Sequence, residues 1–504
     1  MMVCWWLAWS LLVGSVRAFC PTGCDCDDVG PSARCVGVGV NIVPILFNPG
    51  LRRLNLAHNS INSIAQALVF FDQLEELDLS HNLLSSLGTG NFDVQVGLRE
   101  LRLGHNNLPS LLPGSLSGLS SLTLLDLSHN VLSDLPPAVL VDVPKLNVLL
   151  LAHNKLHTFS RQTFRGCISL DVLDLCDNYF RYVPTLALED LSSLKALHLC
   201  RNRLTRLEAN AFHIATLTTL SLETNSIDFI ADTAFHRLQG LLKLNLNDNL
   251  LREVPTAALA SLLRLESLYL SRNKIKSLED GAFRSLGHLK TLEVSRCPLL
   301  ENIQQKALSH CVNLISLTLS HNSLLHHLPR GLFTSLPKLK ALDLRANGLQ
   351  GLPATEVPWS SLTSLDLRDN PLVCNCSLQW LAALLSSSNT SVTAPDLQCS
   401  SPDKLRGVYL SRLSPGELQC VDRVQVVVGI VVVIASTVLL LTLSVVLCRY
   451  RRRRQRDKLG RGWPPGPLAP WPPDDHSAAT RHIMADDYIY HSYSTVRKVP
   501  VTKV

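Results

Sequence analysis

At 504 residues, 46% of them hydrophobic, the chain exceeds the size at which one globular core stops growing, so it is either several domains or an elongated array. Its formal charge of +6 does not point to nucleic acid, because residues 449–504 alone hold 12 Lys or Arg against 5 Asp, leaving residues 1–448 at −1.

The chain opens on MMVCWWLAWSLLVGSVRA, an apolar run without acidic residues that ends in the small residues Val16 and Ala18. This predicts a secretory signal peptide over 1–18 and places the following chain in an oxidising compartment. Residues 19–50 hold Cys20, Cys24, Cys26 and Cys35, a set of four that fits two disulfides, with three pairings open from spacing alone. Thiolates in an exported chain are oxidised, which argues against a zinc site.

From 51 to 371 the chain repeats. "LDLSHN" occurs at 77–82 and again at 125–130, and the surrounding pattern L-x-x-L-x-L-x-x-N recurs with Asn at 59, 82, 106, 130, 154, 178, 202, 225, 249, 273, 322, 347 and 370. Cys297 fills the one gap, giving 14 copies. Leu77 and Leu79 alternate around Asp78, so each copy predicts a short strand with its leucines on one face and Asp78 on the other. No single copy can bury that face. Stacked copies with strands about 4.8 Å apart build one parallel sheet over a continuous core. The repeated Asn satisfies backbone groups where the chain leaves each strand. Phe164, Phe212, Phe235 and Phe283 in the second half of their copies predict an apolar spine. The fold class expected is an α/β-type repeat solenoid, a curved horseshoe with the parallel sheet on its concave face.

Residues 372–420 carry a second set of four cysteines, Cys374, Cys376, Cys399 and Cys420, and two N-glycosylation sequons, at Asn375 and Asn389. Asn375 sits between cap cysteines, where hindrance is the expectation, whereas Asn389 is the readier acceptor. Residues 424–448 contain no charge; 25 helical residues reach roughly 37 Å, enough to span a membrane. Arg449 and Arg451 to Arg454 follow, holding the carboxyl side in the cytoplasm and facing anionic inner-leaflet lipids. The tail, 449–504, is too poor in apolar residues to fold alone.

The two cysteine sets, in particular "NPLVCNCSLQWL", resemble the amino- and carboxyl-terminal caps of extracellular leucine-rich repeat proteins, and the layout resembles their single-pass, type I cell-surface members. The resemblance covers residues 20–420. It implies first-to-third and second-to-fourth pairing: Cys20 with Cys26, Cys24 with Cys35, Cys374 with Cys399 and Cys376 with Cys420. It further implies adhesion or receptor function at the plasma membrane, with an auxiliary subunit of a channel or receptor and an innate immune co-receptor as alternatives. Cys420 to Val424 leaves no room for the immunoglobulin or fibronectin domain that several relatives carry.

No enzyme constellation is present: the sequence lacks G-x-S-x-G, H-E-x-x-H and a phosphate-cradling glycine loop. No cofactor, metal or nucleic acid is expected. Recognition is expected on the concave sheet. Its outward positions are charged in the first copies (Arg52, Arg53, Glu75, Glu76, Asp78, Arg99, Glu100, Arg102). They turn apolar at Leu124, Val148, Leu150 and Val172, followed by Ala196, and this patch is the expected site for an extracellular protein ligand. His58, His81, His105, His129, His153 and His321 precede the repeat Asn and should line the sheet edge, either as plain exposed residues or as a protonation-dependent contact. Cys167 and Cys311 replace core leucines. Cys176 and Cys200 follow the last strand leucine of neighbouring copies; two free thiols are the default reading, with a cross-strand disulfide as the alternative. In the tail, Arg461, Pro464 and Pro467 match an SH3 ligand, Thr502 and Val504 a PDZ ligand, and Tyr488, Tyr490 and Tyr493 are phosphorylation candidates. Tyr493 also begins a sequence resembling an endocytic sorting signal.

Overall fold

The structure, a computed structural model, describes residues 20–27, 29–352, 362–386, 397–420 and 423–459. The signal peptide, Asn389, the SH3 and PDZ motifs and the three tail tyrosines fall outside those residues. The described chain forms two units, divided after Val421.

In the first unit, sixteen short strands form a single sheet in almost strict chain order. Asp25–Asp27 and Ser32–Arg34 pair antiparallel in the amino-terminal cap, and Ser32–Arg34 then starts a parallel ladder with Arg53–Asn55 that runs to Ser364–Asp366. Each repeat strand is only three residues long, with the central leucine buried and its two neighbours facing out. The leucines two positions beyond, such as Leu79, Leu103 and Leu127, are fully buried as well, so every turn adds the same apolar slice to one continuous core.

The repeat asparagines hold the slices together. Asn130 Nδ2 donates to the carbonyls of Leu103 and Leu127 at 3.0 and 3.1 Å, while its Oδ1 accepts from Leu108 N at 3.0 Å. One buried side chain therefore satisfies backbone groups of two adjacent turns. The same bonds recur at Asn82, Asn154, Asn178 and Asn202. At the exception, Cys297, the sulfur reaches carbonyls only at 3.7 Å, and Asn322 of the next turn accepts the Cys297 N–H at 2.8 Å.

The expected phenylalanine spine is mixed. Phe164, Phe212, Phe235 and Phe283 are all buried, but only Phe212 and Phe235 among them stack, at 6.1 Å. Leu188 and Leu259 take the intervening positions, each closing a one-turn helix, Thr185–Leu188 and Thr256–Leu259, that begins after a proline. Proline pre-sets the helical φ there, and leucine fills less width than phenylalanine, so the column is broken twice. At Gly118, with φ +92°, an added Cβ would run into the carbonyl of Phe92, so this turn requires glycine.

The second unit contains one helix, Arg423–Leu459, whose stretch Val426–Arg456 is long and apolar enough to cross a membrane. The hydroxyls of Ser436, Thr437, Thr442 and Ser444 donate to carbonyls three residues back, so every serine and threonine hydroxyl on this segment has an internal partner. The helix extends beyond the expected membrane span of 424–448. It continues through the arginine cluster to Leu459, because Arg, Gln and Lys are good helix formers and no breaker intervenes before Gly460.

Replacing Asn154 with Ala leaves the Leu132 N–H without its acceptor and takes from the Leu127 and Leu151 carbonyls one of their two amide donors, Asn130 and Asn178 remaining. Denaturant unfolding should show a loss of about 2–4 kcal/mol, whereas the exposed neighbour Asn107→Ala should stay within about 0.5 kcal/mol.

Candidate recognition surface

The outward-facing residues form parallel rows, because the ladder is in strict register. One row runs Arg53, Glu76, Glu100, Leu124, Val148, Val172, Ala196, Thr219 and Lys243. Its middle four members are apolar and half-buried, bounded by charge on one side and by Thr219 and Lys243 on the other. Leu150 does not belong to this row. It lies in the next, between Asp126 and Asp174, so the patch is one four-rung stripe with a single leucine beside it. Those two aspartates also serve the backbone: Asp126 Oδ1 accepts from Ser128 N and Asp174 Oδ1 from Cys176 N, each at 2.9 Å.

Around the stripe the charges are largely paired, with Arg52 to Glu75 at 3.3 Å, Arg102 to Glu100 at 2.6 Å and Lys195 to Asp171 at 2.9 Å. Such exposed pairs contribute little to stability, about 0–1 kcal/mol each, and instead set the electrostatic border of the surface. Tyr269, with Lys243 Nζ 5.4 Å from its ring centre, adds an aromatic on the same face that the sequence reading passed over. Its signal was present, since "ESLYL" puts Tyr269 at the same outward position as Leu150.

The third residue beyond each repeat strand adopts the left-handed conformation, at φ between +50° and +59° in all fourteen turns. Histidine tolerates this conformation better than most residues. His58, His81, His105, His129 and His153 occupy five consecutive turns and stack face to face, with ring centres 3.8 to 4.0 Å apart and planes within 13°. His321 stands apart, between Arg296 and Ala346 in the same column, so the six expected edge histidines resolve into a stack of five and one outlier. Burial, followed by the neighbouring imidazoles, holds His81, His105 and His129 below the ordinary histidine value; Asp78 opposes this at His81, and Asp126 at His105 and His129. Two unit charges at the stacking distance would repel by about 1 kcal/mol in water and about 4 kcal/mol at an effective dielectric constant of 20.

Beside the stack and the stripe, Cys176 and Cys200 are bonded, with Cα atoms 4.5 Å apart. Free thiols, the default from sequence, give way to the bond because parallel register brings the two residues together on facing rungs. The caps are closed by Cys20–Cys26, Cys24–Cys35, Cys374–Cys399 and Cys376–Cys420. Cys167, Cys297 and Cys311 are free and buried, and burial pushes their thiols up to about 12, 11 and 12. They are therefore protonated, unreactive core groups. No group of three or more metal-ligating side chains occurs among the described residues. Asn375 is exposed, and its Oδ1 accepts from Ser377 N at 2.9 Å, capping the turn that leads into the helix Gln379–Ser386.

Among the described residues, a parallel sheet with one face open, closed at both ends by cysteine caps, defines a repeat solenoid, an architecture whose exposed sheet offers an extended binding surface. Seven matches to the family model described as Leucine rich repeat cover residues 41–84, 72–132, 130–180, 168–213, 215–275, 263–324 and 313–372, and the chain belongs to this family. Leucine-rich repeat and fibronectin type III domain-containing protein 1 of Danio rerio is 32% identical over 133 residues, 24% of this chain and 22% of that protein. Chondroadherin-like protein of Homo sapiens is 39% identical over 92 residues, 18% of this chain and 11% of that protein. Among solved structures, the TLR13–ssRNA13 complex matches with a TM-score of 0.61 and 25% identity over 69% of this chain and 55% of that one. The Toll–Spatzle complex of Drosophila matches in fold, with a TM-score of 0.58 and 22% identity over 73% of this chain and 61% of that one. The match thus spans about a fifth of the first relative's length and just over half of the first solved chain. In this chain the apolar helix begins three residues after Cys420.

A non-reducing tryptic digest should yield the Cys176 and Cys200 peptides joined. Recovery of both only as singly alkylated peptides would exclude the bond.

Proposed function

We propose that this chain is a single-pass cell-surface recognition protein that binds an extracellular protein through Leu124, Val148, Leu150, Val172 and Ala196 on its concave sheet. The observation that carries the reading is the registered apolar stripe, four rungs long, on a sheet face left open to water between charged rungs. Parallel sheets are ordinarily covered on both faces, and an apolar stripe with a charged border is the composition of a protein interface. The orientation in this reading, solenoid outside and residues 449–504 in the cytoplasm, is supported by the arginines at the carboxyl end of the apolar helix. Recruitment of SH3, PDZ or trafficking adaptors by the tail, contact of the arginine cluster with anionic lipids and glycosylation at Asn375 and Asn389 belong to the same proposal.

The test uses the ectodomain, residues 19–422, coated on beads, beside a Leu150→Asp, Val172→Asp variant with the same thermal unfolding. Clumping that the variant loses identifies a homophilic adhesion molecule using this stripe. If the wild-type beads stay dispersed, both proteins go into a screen of cell-surface proteins. A partner held equally by both would reject the assignment, and a partner lost at least tenfold by the variant would support it.

A further inference from the structure

The five stacked histidines have no part in the recognition proposed above. We propose that they form an acid-sensitive seam: with neutral rings they brace the strand-exit edge of the first five turns, and their protonation in mildly acidic surroundings loosens those turns and not the rest of the array.

Three observations converge on this. The rings sit face to face at 3.8 to 4.0 Å over five consecutive turns, a spacing that suits neutral imidazoles but brings imidazolium charges into direct opposition. Each ring is carried by a left-handed residue whose own N–H joins one turn to the next: His81 N donates to Gly104 O at 2.9 Å, His105 N to Ser128 O at 2.9 Å, His129 N to Ala152 O at 2.8 Å and His153 N to Cys176 O at 2.9 Å. Repulsion between rings therefore acts on the bonds that hold the turns together. Finally, the surrounding charge cannot neutralise a protonated stack. Facing the five rings are Asp78 and Asp126 from the strands Glu76–Asp78 and Leu124–Asp126, and Asp177 from the following strand exit. Asp177 lies 3.3 Å from His153 Nε2 and is shared with Arg201 at 3.9 Å.

The direction in pH follows from the same groups. His81, His105 and His129 hold protons less readily in the fold than in the unfolded chain, whose value is 6.5. On acidification the unfolded or loosened form takes up protons first, so the contribution of these rings to stability is fully present above pH 6.5 and is lost as pH falls through the lowered native values. A metal role does not fit the stack, because parallel rings aim their nitrogen lone pairs side by side and not at a common point.

The test is hydrogen exchange, read by mass spectrometry on the full-length protein in detergent micelles at pH 7.4 and 5.5, with rates corrected for intrinsic pH dependence. Protection in residues 51–155 should fall about tenfold at the lower pH, while residues 200–350 stay unchanged. In the triple variant His81→Asn, His105→Asn, His129→Asn, the asparagines accept the left-handed conformation without titrating, so the fold should persist and the pH effect should vanish. Equal protection of residues 51–155 at both pH values, or a pH effect that survives in the triple variant, would overturn the proposal. Should that variant not fold, imidazole NMR titration of the wild-type protein decides: broadened, mutually dependent curves centred below 6.5 support the seam, and five independent curves near 6.5 reject it.

Discussion

Every turn of this protein except the one at Cys297 hangs on one buried or half-buried carboxamide. A three-residue strand supplies too few hydrogen bonds to fix where the chain goes next, and the strand exit would bury unpaired backbone groups. The asparagine answers both needs, gripping the carbonyls of its own turn and the preceding one while accepting an N–H from the convex side. Everything else is built on that grip: the constant register, the leucine slices that merge into one core, and the left-handed residue that must precede it. Because the grip links only adjacent turns, the array is held together as a chain of neighbours, each slice of the core packed on the slices beside it.

The left-handed exit in turn decides which side chains can stand at the sheet edge. Residues that accept it without severe strain are polar or small, and the column accordingly reads His, Asp, Arg, Thr and Ala. Five histidines in succession make the edge of the early turns flat and stacked, whereas further along the same column Arg272 leans on Asp248 at 3.2 Å. The concave sheet is thus divided along its length: a charged start, an apolar middle opposite the last rungs of the stack, and a mixed stretch beyond it that carries Lys243 and Tyr269. A partner lying along the sheet meets these regions in sequence, which gives a long surface a definite polarity.

The fold was legible because its signal is periodic. A 23- to 25-residue spacing repeated fourteen times fixes strand, core face and stacking direction at once, and the alternation of Leu77, Asp78 and Leu79 already says which residues face outward. What periodicity could not show was the third dimension at single residues. Leu150 and Val148 look equivalent by alternation, yet they fall in different rows with different neighbours, because the strand offers two outward positions and not one. Phe164 and Phe212 look like parts of one column until Leu188 is seen between them. The cap pairings came from resemblance, since spacing alone allows three. The bond between Cys176 and Cys200 depended on side-chain direction, which no spacing encodes, and the ring-on-ring contact of the histidines depended on a backbone conformation visible only once the turns are superposed.

That bond encloses 24 residues, which is one circuit of the coil. It is therefore a clasp around a single turn, set between the apolar stripe and the longer carboxyl-terminal part of the array. A solenoid anchored at its carboxyl end and held by a partner near its middle is pulled along its axis, and turns linked only to their neighbours peel off one after another from the anchored side. Such peeling halts at residue 200, where the next circuit is closed covalently. The turns carrying the stripe and the histidine stack lie on the far side of that stop, so the array could lengthen under load with those turns still in register.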